Sequence, residues 1–192
     1  MRVVVYGVPF PEGMAMTSRL RFYIKAISNR NIDFYVLSVG TEAQKGIIDG
    51  VHYQIIPRKK IIQKHIDLYY LYAPFHAYNI WRIASKNDII LVNRYGWVTL
   101  LLICIVGKIK GSKTVVELNE NPCSPGGSKM FPKWLRLVNR SLTLNIPFRF
   151  IDGAICISRS LEELVKKYKK GSAKTVLIPI LCESYLPPTS IG

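Results

Sequence analysis

The sequence predicts an α/β domain in which helices cover both faces of a mostly parallel sheet of about seven strands. Three observations point there. Short β-branched runs alternate with helical patterns along the whole chain. Most of those runs are continuously apolar rather than alternating, as strands covered on both faces are. Hydrophobic residues make up 49% of the 192 positions, enough for one sizeable domain with a proper core. The βαβα order gives three layers, α/β/α, with crossover helices joining parallel strands.

The strand candidates are "VVVYG" (3–7), "FYVLSV" (34–39), "VHYQIIP" (51–57), "DIILVN" (88–93), "TVVELN" (114–119), "GAICIS" (153–158) and "TVLIP" (175–179). Between the first two, Met16, Leu20, Tyr23, Ile24 and Ile27 recur at helical spacing, with Arg19, Arg21 and Lys25 placed off that stripe. "WVTLLLICIVG" (97–107) is far shorter than the roughly 20 residues of a membrane span and reads as a buried helix. The last helix pattern, "SRSLEELVKKYKKG", pairs Ser160 with Glu163 at capping-box spacing and carries an apolar stripe at Leu161, Leu164, Val165 and Tyr168. The link from Val39 to Val51 is too short for a crossover helix, so an irregular join is expected there.

The loop "GVPFPEGMAMTSR" leads from the first strand into the first helix. Glycine lets backbone approach a ligand, and a helix N-terminus is electropositive. A Walker loop needs Gly-Lys-Ser/Thr at the helix start, where this chain has Gly13-Met14-Ala15. A dinucleotide fingerprint needs three closely spaced glycines and an acid after the second strand; Gly7 and Gly13 are too far apart, and "VLSVG" ends without an acid. Cys104, Cys123, Cys156 and Cys182 form no C-x-x-C pair, and His52, His65 and His76 form no H-E-x-x-H. The cysteines read as packed thiols, with no metal site and no cofactor expected. "MRVVVYGVPFP" lacks the form of a signal peptide.

The net charge is +15, distributed as +2 over residues 1–57, +8 over 58–114 and +5 over 115–192. The basic middle implies a polyanionic partner. Arg58, Lys59, Lys60 and Lys64 precede Tyr69, Tyr70, Tyr72, Phe75, Tyr78 and Trp81. Bases beside Tyr and Trp suit an anionic membrane surface or stacking on single-stranded nucleic acid. Equally, most of the aromatics fill the core and the bases form a solvated rim. Nucleic-acid binding has the least support, because no zinc spacing, RNP-like run or helix-turn-helix pattern is present.

In such a sheet, ligands sit beyond the C-terminal ends of the strands. That rim gathers Glu12, Asn93, Arg94, Tyr95, Asn119, Glu120, Ser158 and Arg159. Carboxylate, amide, guanidinium and phenol together suit a polyhydroxylated ligand carrying phosphate.

In order, "GVPFPEGMAMTSRLRFYIKAI", "TVVELNENP", "DGAICISRSLEELVKKY" and "AKTVLIPI" resemble the N-terminal half of a family 4 glycosyltransferase of the GT-B fold. The resemblance covers essentially the whole chain. It implies a Rossmann-like acceptor-binding domain over residues 1–180, with 181–192 opening an interdomain linker. A second Rossmann-like domain, absent from this chain, would supply most of the nucleotide-sugar site. The implied reaction carries a sugar from a nucleotide-sugar donor to a lipid-linked or polysaccharide acceptor at the cytoplasmic membrane face. Glu120 is then the candidate catalytic carboxylate. Glu12, Gly13, Met14, Arg94, Tyr95, Asn119, Ser158 and Arg159 are candidate substrate contacts, and Arg58, Lys59, Lys60 and Lys64 candidate membrane contacts.

Two positions depart from the family pattern. Many members carry a glycine pair where this chain has Glu12-Gly13, and a histidine where it has Asn119 followed by Glu120. The competing readings are a membrane-docking, non-catalytic subunit of a split enzyme and a basic nucleic-acid-binding α/β domain.

Overall fold

The computed structural model describes residues 1–12, 15–27, 30–57, 72–93, 96–119, 141–142, 144–169 and 174–179. Eight strands form one sheet: β1 (Arg2–Tyr6), β2 (Asp33–Gly40), β3 (Gln44–Ile48), β4 (Val51–Pro57), β5 (Ile89–Val92), β6 (Lys113–Leu118), β7 (Gly153–Cys156) and β8 (Lys174–Leu177). Their order is β3-β4-β2-β1-β5-β6-β7-β8. Every neighbouring pair is parallel except β3 with β4. The three-layer, mostly parallel architecture expected from the apolar runs is therefore the one observed.

The short link after β2 is regular. The chain turns back at the sheet edge as β3 and returns through Asp49 and Gly50 into β4, with Ile48 opposite Val51. Both turn residues have positive φ, 52° and 75°, the two-residue hairpin geometry that Asp-Gly favours. The irregular join expected here is thus an eighth strand, solvent-facing and only partly apolar.

Among the described residues, the outer layers include α1 (Ala15–Ile27), α2 (Ala73–Ile83), α3 (Trp97–Lys110) and α4 (Arg159–Tyr168). One core lies under α2, α3 and α4, where Tyr6, Leu37, Val92, Val116 and Cys156 meet Ile80, Ile103 and Val165. A second lies under α1, where Val3, Val5, Phe34 and Val36 meet Leu20, flanked by Met16, Ile24 and Ile27. The helical spacing in the sequence places those α1 residues correctly. The run read as a buried helix is only half buried: α3 packs Leu100, Ile103, Cys104 and Val106 inward and leaves Ile105 and Ile109 exposed, with Gly96 at its N-cap and Gly111 ending it in the left-handed conformation. On the far side of the sheet from the strands' C-termini, Arg2 donates to Asp88 (Nη2 to Oδ2, 2.9 Å) and to the Ile83 carbonyl, tying β1 to the end of α2.

Two findings correct or narrow the expectations. The capping box does not form: α4 begins at Arg159 with Ser158 as its N-cap, so Ser160 already lies inside the first turn. Its hydroxyl meets that of Ser158 at 2.9 Å. Glu162, rather than Glu163, is engaged, with Lys166 at 2.8 Å and the Thr175 hydroxyl at 2.8 Å. Second, not all aromatics of the middle segment are core residues. Phe75, Tyr78 and Trp81 are exposed.

Candidate functional site

The strand order reverses direction between β1 and β5. Chain leaving β1 proceeds outward through β2, and chain returning from β4 through α2 enters β5 on the other side. Loops diverge at such a switch point and open a crevice beyond the strand C-termini. Gly7, Asn93 and Asn119 directly follow β1, β5 and β6 at this rim.

The loop after β1 opens at Gly7, whose φ of 88° favours a residue without Cβ. Most of the loop is packed rather than open. Val8 and Phe10 are buried, and the Phe10 ring meets Tyr53 edge-on with centroids 5.6 Å apart. The Val8 carbonyl accepts from Ser38 Oγ at 2.6 Å, and the Pro9 carbonyl from Thr17 Oγ1. Glu12, beyond this anchored part, is exposed.

The centre of the site is a residue the sequence reading left inside a strand. Glu117, on β6, is 4% exposed and lies on the α1 side of the sheet. Tyr23 donates its hydroxyl to Oε1 at 3.0 Å. Arg19 Nε lies 3.4 Å from the same oxygen, and Asn93 Nδ2 donates to Oε2. Arg19 also donates through Nη1 to Asn119 Oδ1. Arg19 therefore belongs to the rim, not to the solvent side where its place off the apolar stripe put it. The available signal was a lone carboxylate in the run "TVVELN", since a charge in a buried strand calls for a partner.

Burial pushes the Glu117 carboxyl above its ordinary range, although Tyr23, Arg19 and Asn93 all favour the charged form. Burial likewise raises the Tyr23 phenol, and the adjacent Glu117 charge adds to that. Two buried polar atoms of the cluster, Arg19 Nη2 and Asn93 Oδ1, find no partner among the described residues. One donates and one accepts, so an oxygen-rich ligand offering both an anionic oxygen and a hydroxyl would satisfy the pair.

Of the rim residues expected from sequence, Asn119 is held by Arg19. Ser158 occupies the N-cap position of α4 without a side-chain capping hydrogen bond, and Arg159 begins that helix with its side chain exposed. Gly13, Met14, Arg94, Tyr95 and Glu120, together with Arg58, Lys59, Lys60 and Lys64, lie outside the described residues. At the flank of the same rim, a cavity of about 260 Å³ lies between β3, β4 and α2, lined among others by Lys45, Ile56, Pro57, Phe75 and Asn79. Among the described residues no group of His, Cys, Asp and Glu could hold a metal ion. Cys104 and Cys156 are buried, and burial pushes their thiols up to about 12 and about 11.

No protein-family model and no curated protein sequence matches the chain. Solved structures do resemble it. UGT2 of Phytolacca americana aligns with a TM-score of 0.59 at 10% identity, over 94% of this chain and 52% of that one. The α,α-trehalose 6-phosphate synthase of Burkholderia multivorans aligns at 0.55 and 11% identity, over 87% and 41%. UGT89C1 of Arabidopsis thaliana, complexed with UDP, aligns at 0.52 and 15%, over 97% and 54%. The chain thus spans about half or less of the length of each of these three. These neighbours are GT-B glycosyltransferases, and the chain has the Rossmann-like fold of one of their domains.

Proposed function

We propose that this chain is the acceptor-side domain of a glycosyltransferase of the family 4 type, acting on a nucleotide-sugar donor together with a second, donor-binding domain. The observation that carries the reading is the switch-point cluster. On a GT-B domain fold, Glu117 holds Arg19 and Asn93 so that one guanidinium nitrogen and one amide oxygen find no partner among the described residues. Sugar hydroxyls and a phosphate oxygen supply the matching groups. In this reading Glu117 is a positioning residue that fixes the two side chains. Glu120, three residues further on, is the carboxylate proposed for acid–base work. Glu12, Gly13, Met14, Arg94, Tyr95, Asn119, Ser158 and Arg159 complete the wall. The acceptor is lipid-linked or polysaccharide and is met at the cytoplasmic membrane face, where Arg58, Lys59, Lys60 and Lys64 lie against anionic headgroups.

The test is a titration of the isotope-labelled chain with UDP, UDP-glucose and short saccharides, followed by NMR. Shifts clustered at this rim, including the amides of Gly7, Val8, Asn93 and Asn119 and the Asn93 side chain, support the reading. Arg19→Gln should abolish them. Shifts that ignore this rim, or none with any saccharide or nucleotide, refute it.

A further inference from the structure

We propose that the outer face of α2 and α3 is a docking surface for an anionic lipid bilayer. The face lies on the helix layer and away from the rim, so it rests on the surface itself and not on the sugar-transfer reading.

α2 sends Ala73, His76, Ala77 and Ile80 inward. Its outer side carries Tyr78 and Trp81, three apart and therefore neighbours on one face, with 57% and 37% of their surface exposed, while Phe75 turns to the β3–β4 edge and lines the cavity there. The neighbouring α3 sends Leu100, Ile103 and Cys104 inward and leaves Ile105 and Ile109 exposed by 44% and 65%. The two helices pack against each other. Both cross back between parallel strands, so they run in the same direction. The Lys110 ammonium sits 4.5 Å above the Trp81 ring, which joins the two stripes at their C-terminal ends. Scattered single apolar residues need no explanation, but Tyr78, Trp81, Ile105 and Ile109 on two packed helices form a patch that calls for a cover.

Charge identifies the cover. α2 and α3 together contain Arg82, Lys108 and Lys110 and not one Asp or Glu. Lys108 is engaged by Asp152 at 3.0 Å, which leaves Arg82 and Lys110 flanking the exposed rings. Tyr and Trp keep an apolar body and a polar edge, and rest at headgroup depth in a bilayer. Bases beside them gain from an anionic headgroup layer while the rings and aliphatic side chains enter its apolar boundary. No described helix is long and apolar enough to cross a membrane, so the contact proposed is peripheral.

The experiment is sedimentation of the full chain with vesicles of phosphatidylcholine, with and without phosphatidylglycerol. The chain should partition onto the anionic vesicles and only weakly onto the neutral ones. Arg82→Gln with Lys110→Gln should lower the partition coefficient by roughly fivefold for each base removed. Tyr78→Ser, Trp81→Ser and Ile109→Ser combined should lower it by about tenfold or more, with circular dichroism confirming an unchanged fold. Two results overturn the proposal. One is no preference for anionic vesicles. The other is wild-type partitioning by the combined serine variant, which would move the contact to bases elsewhere in the chain. A dimer in sedimentation velocity that the serine variant dissociates, without vesicle binding, would instead assign the face to a second copy. None of these readouts involves sugar transfer, so failure here leaves the proposed activity standing.

Discussion

The Tyr23 hydroxyl of α1 donates to the Glu117 carboxylate of β6 across 3.0 Å, joining residues 94 positions apart in the chain. A helix and a central strand are thereby linked through a buried polar contact where apolar packing would be the rule. With Arg19 and Asn93 on the same carboxylate, removing any one member leaves a buried group short of a partner, which is costly.

Glu117→Gln should therefore show a pH-dependent stability difference from the wild type. Because burial raises the folded carboxyl's pKa, the native state holds its proton more tightly than the unfolded chain. Stability from this group is present at low pH and is lost as pH rises above the ordinary carboxylate range. The glutamine variant does not titrate there. Urea unfolding across pH should find the wild type's advantage over the variant larger in acid than at neutrality. An advantage that grows with pH would contradict the assignment. With Arg19→Gln as the partner mutation, the double variant should lose less than the two single losses combined, as coupled neighbours do.

Asp152 should behave in the opposite sense. Burial opposes its ionisation, but the Thr114 backbone N–H at 2.8 Å and the Lys108 ammonium at 3.0 Å outweigh that and hold the carboxyl below its usual range. Its contribution is present above the ordinary Asp range and is lost as pH falls through the lowered folded value. Asp152→Asn should cost about 1–2 kcal/mol near neutrality, with the deficit shrinking in acid. The same urea series measures it.

Gly50→Ala isolates a conformational cost. Nothing lies within 4 Å of a Cβ added there, yet φ is 75°. The variant should lose about 1 kcal/mol, and the loss should appear as a lower unfolding midpoint with an unchanged urea slope.

Gly107→Ala isolates a packing cost. A Cβ at Gly107 would sit 2.5 Å from the Thr114 hydroxyl, where α3 rests on β6. Overpacking should outweigh the gain in helix propensity and cost about 1–3 kcal/mol. Adding Thr114→Ala removes the obstructing oxygen, which has no partner among the described residues. Thermal melts should show the double variant more stable than Gly107→Ala alone.

Fold class was legible because β1, β4, β5 and β6 are apolar enough to be strands covered on both faces, and α1 and α4 carry clear stripes. β3 was not. "QKGII" opens with polar residues and a glycine, and an edge strand open to solvent has little need of apolar side chains. Its one signal was the Asp49-Gly50 turn. At the site, Asn119 was readable from its place after β6, but Glu117 and Arg19 were not. Their pairing crosses a helix–strand interface, and no periodicity within either segment reports on a partner in the other. The exposure of Phe75, Tyr78 and Trp81 was hidden for a related reason. An aromatic stripe at helical spacing looks the same whether it faces a core or a bilayer.

Among the described residues the two faces of the sheet are unequally held, and this bears on how the domain breathes. Among the described residues the face of β1 and β2 is covered by α1 alone, which buries only Thr17 and Leu20 fully. The opposite face is clamped by three helices. Segments with few buried contacts open at lower free energy than the rest of a domain. The amide hydrogens of α1 should therefore exchange with deuterium sooner than those of α3, through an opening that leaves the α3 side intact. Each such excursion would carry Arg19 and Tyr23 away from Glu117 and expose the carboxylate to water. A ligand bridging Arg19 and Asn93 would act as a latch on that opening, slowing exchange throughout α1 without touching most of it.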